Sequence, residues 1–459
     1  MAAIKKIILD NFKSFGHIEL DLTYGNKALP YAFIYGENGS GKTNLIDSIG
    51  FIKRMLYTLG REPESIEKEN EFLDTFGKLV GMMQNDRDND RIKSAIRDYY
   101  APKDVISLAR EFRMIDSEDD MAIALILDMG GHDATYRIVF DKNNSIINES
   151  LRSRVTKRTN TLFTLSKENG KVKTDFSPSF FSDAGYARSF MELIRQYWGK
   201  HSILSIVNYE MMRNNEQFLR SAMAEGMLDF LDSIKDICVE NGDLSDNLRK
   251  AEDFKYNPYN WSIKKESLWK LRIYEKALNK AFTRMYSDVV RVYFKTTEEK
   301  NGMIAYSLVF TKYIHGKDRD IPASEESSGT CKLLDMMPYL LDCALGKTVL
   351  IDEMDSGIHD KLVFDLITEI LNEIQGQLII TTHNTSLLRI LDPKNVFIIA
   401  TDLNGERFIR SIASIIRTQK NNNNQERYLR GMMDGIPYMG EIDLDEIADS
   451  YREEYLGAR

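Results

Sequence analysis

Basic charge is in short supply in this chain: 61 Lys and Arg stand against 70 Asp and Glu, for a net charge of −9. The average surface therefore repels nucleic acid, and any contact with DNA or RNA needs a local basic patch. Cysteine is scarcer still. Cys238, Cys331 and Cys343 lie too far apart for a zinc motif, and an odd, sparse count argues against a disulfide framework. No apolar run approaches the roughly 18 residues that a membrane-spanning helix needs. The start, Met1-Ala2-Ala3-Ile4-Lys5-Lys6, runs into a strand-like segment rather than a signal peptide. These absences give the expectation of a cytoplasmic protein with no membrane partner. With 43% hydrophobic and 29% charged residues over 459 positions, the chain can bury a substantial core. A prior of about 150 residues per domain suggests two or three units.

What is present is concentrated in one stretch. Gly36-Glu37-Asn38-Gly39-Ser40-Gly41-Lys42-Thr43 fits the phosphate-binding pattern G-x-x-x-x-G-K-[ST] at every fixed position. The run Tyr31 to Tyr35 before it reads as a buried strand. Asn44 to Leu59 after it reads as a helix with Leu45, Ile46, Ile49 and Ile52 as its apolar stripe. Strand, loop and helix are the context in which this pattern binds a nucleoside triphosphate. Gly36, Asn38, Gly39 and Gly41 let successive N–H groups turn inward at phosphate oxygens, and the helix N-terminus adds its partial positive charge. Lys42 reaches the β- and γ-phosphates of ATP, and Thr43 ligates Mg²⁺.

Either side of this stretch the chain alternates in character. Ile7 to Leu9 and Ile18 to Leu20 read as antiparallel strands joined by Asn11-Phe12-Lys13-Ser14-Phe15. Arg61 to Tyr100 is charged with helical spacing. Short strands follow at Glu111 to Ile115, Ala122 to Leu127, Tyr136 to Phe140, Ile146 to Leu151 and Thr161 to Leu165, forming an antiparallel meander. From Leu151 to Lys173 seven basic residues face one acidic residue. A strand edge protected by Lys and Arg is favoured there over a nucleic-acid groove. Met191 to Trp198, Phe218 to Ile237 and Leu268 to Val290 read as helices of a compact lobe without a sustained heptad register.

The second half of a nucleotide site begins at Glu325-Glu326-Ser327-Ser328-Gly329-Thr330, ahead of an apolar helix. Thr348-Val349-Leu350-Ile351-Asp352-Glu353 is an apolar strand ending in two acids. In a site of this kind Asp352 holds Mg²⁺, and Glu353 orients and deprotonates the attacking water. A helix from Lys361 to Ile374 leads to the strand Gln377 to Thr381, which ends at Thr382-His383-Asn384. Its C-terminal end, at His383, is where α/β sheets bind ligands, and a γ-phosphate contact by His383 is what a resemblance to ABC-type ATPases implies.

Taken together and in this order, GENGSGKT, ESSGT, LIDEMDSGIH and TTHNTSLL resemble the ABC-type ATPases of the AAA15 or OLD-like group, related to the SMC and RecF branch. The tail, with Arg427-Tyr428-Leu429-Arg430-Gly431 and Gly435-Ile436-Pro437-Tyr438, is similar to that group as well. Coverage is roughly the first 60 and last 140 residues. The resemblance implies an α/β ABC-type P-loop ATPase head with an antiparallel β meander and an inserted helical lobe. It divides the chain into 1–175 and 296–459 as the two parts of the head and 176–295 as the insertion. It also implies a homodimer or higher homo-oligomer in which Ser327, Ser328 and Gly329 of one subunit cap the nucleotide of the other. The loop departs from L-S-G-G-Q by Glu326, Ser328 and Thr330, and the sequence places no Q-loop glutamine, Gln84 being a poor candidate. His359 stands where most ABC enzymes have Asp and OLD-like ones have His.

The group includes anti-phage and abortive-infection ATPases, which implies an ATP-gated switch acting on a separate effector. Some 75 residues follow His383, too few for the Toprim nuclease domain of OLD-like proteins. A nuclease effector is therefore expected on another polypeptide. The acids Glu441, Asp443, Asp445, Glu446 and Asp449 read as a solvated helical tail. Two other readings stay open: a RecF-like repair ATPase that grips DNA directly, and a nucleotide-held scaffold with little turnover.

Overall fold

The computed structural model describes residues 2–59, 104–154, 159–241, 254–299, 302–415, 423–436 and 442–457. Gln84, the charged stretch from Arg61 to Tyr100, Lys157 and Arg158 of the basic stretch, Pro437, Tyr438 and Glu441 lie outside the described residues.

At the centre is a six-stranded sheet in the order Cys238–Glu240, Thr348–Ile351, Gln377–Thr381, Tyr31–Gly36, Val396–Thr401, Arg407–Ser411. All neighbours are parallel except the last pair. Its inner strands read as nearly unbroken apolar runs because both faces are covered. Alternation along the strands splits the core in two. Leu350, Ile379 and Ile399 point to one side, where the helix Lys42–Met55 presents Leu45, Ile49 and Ile52. Val349, Ile351, Leu378 and Ile380 point to the other side, against helices Leu268–Met285, Ser328–Ala344 and Asp360–Glu373. Each such fully buried side chain stabilises the fold by about 1.5–3 kcal/mol.

Outside the phosphate-loop helix lies a seven-stranded antiparallel sheet in the order Lys171–Phe176, Thr159–Glu168, Ile146–Arg154, Asp133–Phe140, Met121–Asp128, Ala3–Phe12, Phe15–Asp21. Ile7, Leu9 and Phe12 of this sheet share one core with that helix. A third antiparallel sheet, from Asn260–Lys264, Val289–Glu298, Met303–Ile314 and Lys317–Pro322, packs under helix Leu268–Met285. No helix among the described residues is long and apolar enough to cross a membrane.

Three local expectations change. Glu111 to Ile115 is not a strand: Val105–Phe112 is a helix whose N-cap, Asp104, accepts from the Ser107 amide at 2.8 Å. Val105, Leu108, Ala109 and Phe112 are buried at the i, i+3, i+4, i+7 spacing of one helical face. The stretch from Phe218 to Ile237 is two helices, Glu216–Ala222 and Glu225–Asp236. They separate because the backbone at Met223 pairs with Phe181 instead: Ser182 N donates to Ala222 O at 3.0 Å and Ala224 N to Phe180 O at 2.8 Å. The long helix from Leu268 ends at Met285, and Val289 opens a strand. Between residues 176 and 295 the four helices Ala184–Tyr197, Ile203–Arg213, Glu216–Ala222 and Glu225–Asp236 precede Cys238–Glu240, which closes one edge of the parallel sheet.

Candidate nucleotide site

Three strands adjacent in the parallel sheet, Thr348–Ile351, Gln377–Thr381 and Tyr31–Gly36, end on the same side. Asp352 and Glu353, Thr382 and His383, and the phosphate loop therefore emerge next to one another, at the carboxyl edge where α/β sheets bind ligands.

The loop is a cradle that glycine makes possible. Gly41, the N-cap of helix Lys42–Met55, has φ 105°, and a Cβ there would lie 2.5 Å from the Phe15 ring. At Gly36, φ 156°, a Cβ would meet Ser40 Oγ at 2.6 Å and Ile399 O at 2.8 Å. Gly39 has φ 79°. No side chain caps the helix, so its first amides keep their hydrogen-bonding capacity for an anion. Ser40 Oγ is buried and finds no hydrogen-bond partner among the described residues. Lys42 Nζ donates to the carbonyls of Gly36 and Glu37, each at 3.0 Å. Burial pushes its pKa down, while Glu353, Asp352 and Asp355 pull it back up. An ammonium with weak local partners, three nearby carboxylates and an unpartnered hydroxyl fit a triphosphate with its divalent cation. Asn38 is exposed on the loop.

The two acids are organised by a residue that the sequence did not single out. Thr381, fully buried, donates its hydroxyl to Asp352 Oδ1 and accepts the Glu353 amide at 2.8 Å. Thr43 Oγ1 donates to the other Asp352 oxygen at 2.7 Å, so the expected metal pair is in direct contact. Glu353 has φ 45°, a left-handed conformation costing about 1–3 kcal/mol in a non-glycine residue. His383 is tied by its amide to the Asp355 carboxylate at 3.1 Å. Burial lowers its pKa first and the Lys42 ammonium second, against the pull of Asp355, Glu353 and Asp352. Thr381→Val keeps the shape and deletes the hydroxyl. Leaving a buried partner unmet costs about 1–3 kcal/mol, so kcat for ATP hydrolysis should fall about tenfold or more while ATP affinity stays within about twofold. Equal kcat in the two proteins would remove Thr381 from the machinery.

The hairpin at Asn11 to Phe15 buttresses the cradle. Its Phe15 ring sits under Gly41, Ser14 Oγ accepts from Asn44 Nδ2 at 2.6 Å, and Lys13 pairs with Asp47 of the phosphate-loop helix. Arg407, another residue not anticipated, joins hairpin to loop by donating to Ser14 O at 2.6 Å and Gly39 O at 3.0 Å.

Ser327, Ser328 and Gly329 are not brought to this cradle. No hydrogen bond or ion pair joins them to the phosphate loop among the described residues. Ser327 is the N-cap of helix Ser328–Ala344 and accepts from the Thr330 amide at 3.2 Å. Gly329 packs so tightly on the loop after the acids that a Cβ would lie 2.5 Å from Gly357 O. Ser327 and Ser328 are exposed. His359 caps the next helix through Nδ1, which accepts from Lys361 N at 3.2 Å.

A family model described as "AAA domain" (AAA_23) matches residues 6–286, and one described as "AAA domain, putative AbiEii toxin, Type IV TA system" (AAA_21) matches residues 228–389. No curated protein matches. Solved structures that resemble the chain include an Smc head bound to the C-winged helix domain of ScpA, at 13% identity and TM-score 0.46, covering 90% of this chain and 100% of that one. The SMC head domain from Thermotoga maritima follows at 13% identity and TM-score 0.39, covering 91% and 100%. An Smc head with an extended coiled coil, bound to the C-terminal domain of ScpA derived from Pyrococcus furiosus, gives 14% identity and TM-score 0.38, covering 90% and 98%.

Proposed function

This chain belongs to the AAA_23 family of AAA domains, and from that premise we propose that it is an ATP-gated switch: ATP joins two copies, and hydrolysis releases them, so controlling a partner effector. The observation that carries the reading is the Thr43–Asp352 contact beside Lys42, Glu353 and His383 at the ends of three adjacent strands. Lys42 neutralises the β- and γ-phosphates, Glu353 accepts a proton from the attacking water, and His383 donates a ring N–H to the γ-phosphoryl group. Thr43 and Asp352 would hold Mg²⁺, which would supply charge neutralisation on the phosphate oxygens. Exposed Ser327 and Ser328 serve the nucleotide of a second copy.

Anti-phage defence is the setting that the motifs and the match over residues 228–389 support. The effector is a separate polypeptide, a nuclease, and the finest resemblance is to the ATPase subunit of PARIS-type systems. The repair reading has less support. The basic stretch starts on the inner strand Ile146–Arg154, which carries Arg152 and Arg154, and ends on Lys171–Phe176, the outer edge of the seven-stranded sheet, where Lys173 pairs with Glu168 at 3.3 Å. Charged side chains on an edge strand guard it against pairing with other chains.

Glu353→Gln tests the switch. It removes the base and keeps the cradle, so sedimentation with ATP and Mg²⁺ should show a dimer or larger assembly that persists, where the parent assembly decays as ATP is consumed. An assembly of equal lifetime in both, with unimpaired turnover, sinks the reading.

A further inference from the structure

The tail elements around Tyr428 and Gly435 have no part in the site as described, yet they pack against both of its loops. Helix Asn424–Leu429, capped by Asn423, lies on the short helical turn Thr385–Arg389, which begins two residues after His383. Gln425 joins the two. Its Oε1 accepts from Arg389 Nε at 2.5 Å, and its Nε2 donates to Thr385 Oγ1 at 3.2 Å.

Tyr428, one helical turn on, is buried in one core with Tyr35, Ile398, Leu387 and Met433. Its ring meets the Tyr35 ring edge-on at 5.8 Å. Tyr35 stands immediately before the first glycine of the phosphate loop, and its hydroxyl donates to Asn384 O, next to His383, at 3.0 Å. The Tyr428 hydroxyl donates to Gly435 O at 2.9 Å. Burial first and the Glu37 carboxylate second push this phenol up to about 12, so it stays a donor through the neutral range. Gly435, φ 67°, brings the tail onto the phosphate loop itself. A Cβ there would lie 2.5 Å from Ile398 Cγ2, 3.0 Å from Ile399 O and 3.6 Å from Gly36 Cα, an approach in a left-handed conformation that suits glycine. Gly36 closes on the same carbonyl, since its own Cβ would meet Ile399 O at 2.8 Å.

We infer that residues 423–436 form a brace that sets the His383 loop against the phosphate loop, with Gln425, Tyr428 and Gly435 as positioning residues for hydrolysis of the γ-phosphate. They act through Thr385 and Asn384 on one side and Gly36 on the other, and a small displacement of a reacting group is enough to slow a reaction. The effect on hydrolysis rests on the nucleotide reading; the brace itself does not.

The two ends should separate in the kinetics. Gln425→Ala frees the turn after His383 and leaves the cradle alone, so kcat should fall about fivefold while ATP affinity by calorimetry stays within about twofold. Thr385→Val removes the same tie from the other side and should match it. Tyr428→Phe unties Gly435 and loosens the phosphate loop, so ATP affinity should weaken about fivefold. In nucleotide-free protein, amide exchange followed by mass spectrometry should quicken about fivefold over residues 383–386 in Gln425→Ala and over residues 36–41 in Tyr428→Phe, with the strand Met121–Asp128 as the unchanged reference. A merely structural role would lower the thermal midpoint without dividing kcat from affinity in this way. A parent that neither binds nor hydrolyses ATP ends the nucleotide reading, and the exchange rates then judge the brace alone. Exchange at both loops equal to the parent's, or kcat and affinity unmoved in all three variants of an active parent, overturns the brace.

Discussion

Lys42→Ala should weaken ATP binding by about a hundredfold or more, and hydrolysis should disappear with it. A charge-assisted contact contributes about 1.5–3 kcal/mol, two such contacts are lost, and 1.4 kcal/mol is a factor of ten. The structure adds a second cost. Lys42 is the cation set against Glu353, Asp352 and Asp355, and without it those carboxylates face the triphosphate directly. The loop itself has little reason to collapse, since the positive φ of Gly39 and Gly41 and the Arg407 bonds to Ser14 and Gly39 hold it independently of the lysine. Lys42→Met, which keeps most of the stem and removes the charge, should behave like Lys42→Ala. The measurement is calorimetric titration with ATP and Mg²⁺, with thermal unfolding as the folding control. Affinity within a factor of three of the parent would mean that the cradle binds by its amides alone.

Much of this site was legible in the sequence because its parts are local. A phosphate loop is eight consecutive residues between a strand and a helix, and the Asp-Glu pair and His383 each close a buried strand. Their convergence follows from parallel strands sharing one carboxyl edge. The residues that sequence did not reveal act across the chain. Thr381 looks like the last residue of any β strand, and only the pairing of Ile351 with Ile380 shows that its hydroxyl falls between Asp352 and the Glu353 amide. Arg407 reaches Ser14 over 393 positions, from a strand carrying no motif. Glu111 to Ile115 alternates in sequence like a strand, yet its first residues close the helix Val105–Phe112, which Asp104 caps and one buried face fixes.

Mixing two inactive proteins should restore hydrolysis. Lys42→Ala lacks the cation of its own cradle, and Ser327→Arg places a long cation where a neighbour's γ-phosphate is to be capped. In a mixed dimer one site carries both lesions and the other carries neither. With random exchange at equal amounts half the dimers are mixed and one of two sites in each is intact, so activity should reach about a quarter of the parent value. Ser327 is suited to such a role. It is exposed at the N-terminus of a helix, makes no bond to its own phosphate loop among the described residues, and is fixed in place by Gly329 packing on Gly357 O. The helix end therefore presents amides and partial positive charge outward, as a phosphate of another chain requires. Ser328, where the usual signature has glycine, adds a side chain to that surface, so Ser328→Gly should leave or raise the restored activity. Ser327→Arg forfeits a cap of about 1 kcal/mol, and Ser327→Ala, which forfeits the same cap without bulk, separates that loss from obstruction. Steady-state hydrolysis is followed against mixing ratio, with exchange verified by a size-resolved tag pull-down. If subunits exchange and activity stays at zero through the whole series, the site is closed by its own chain or by another protein, and capping by a second copy is wrong.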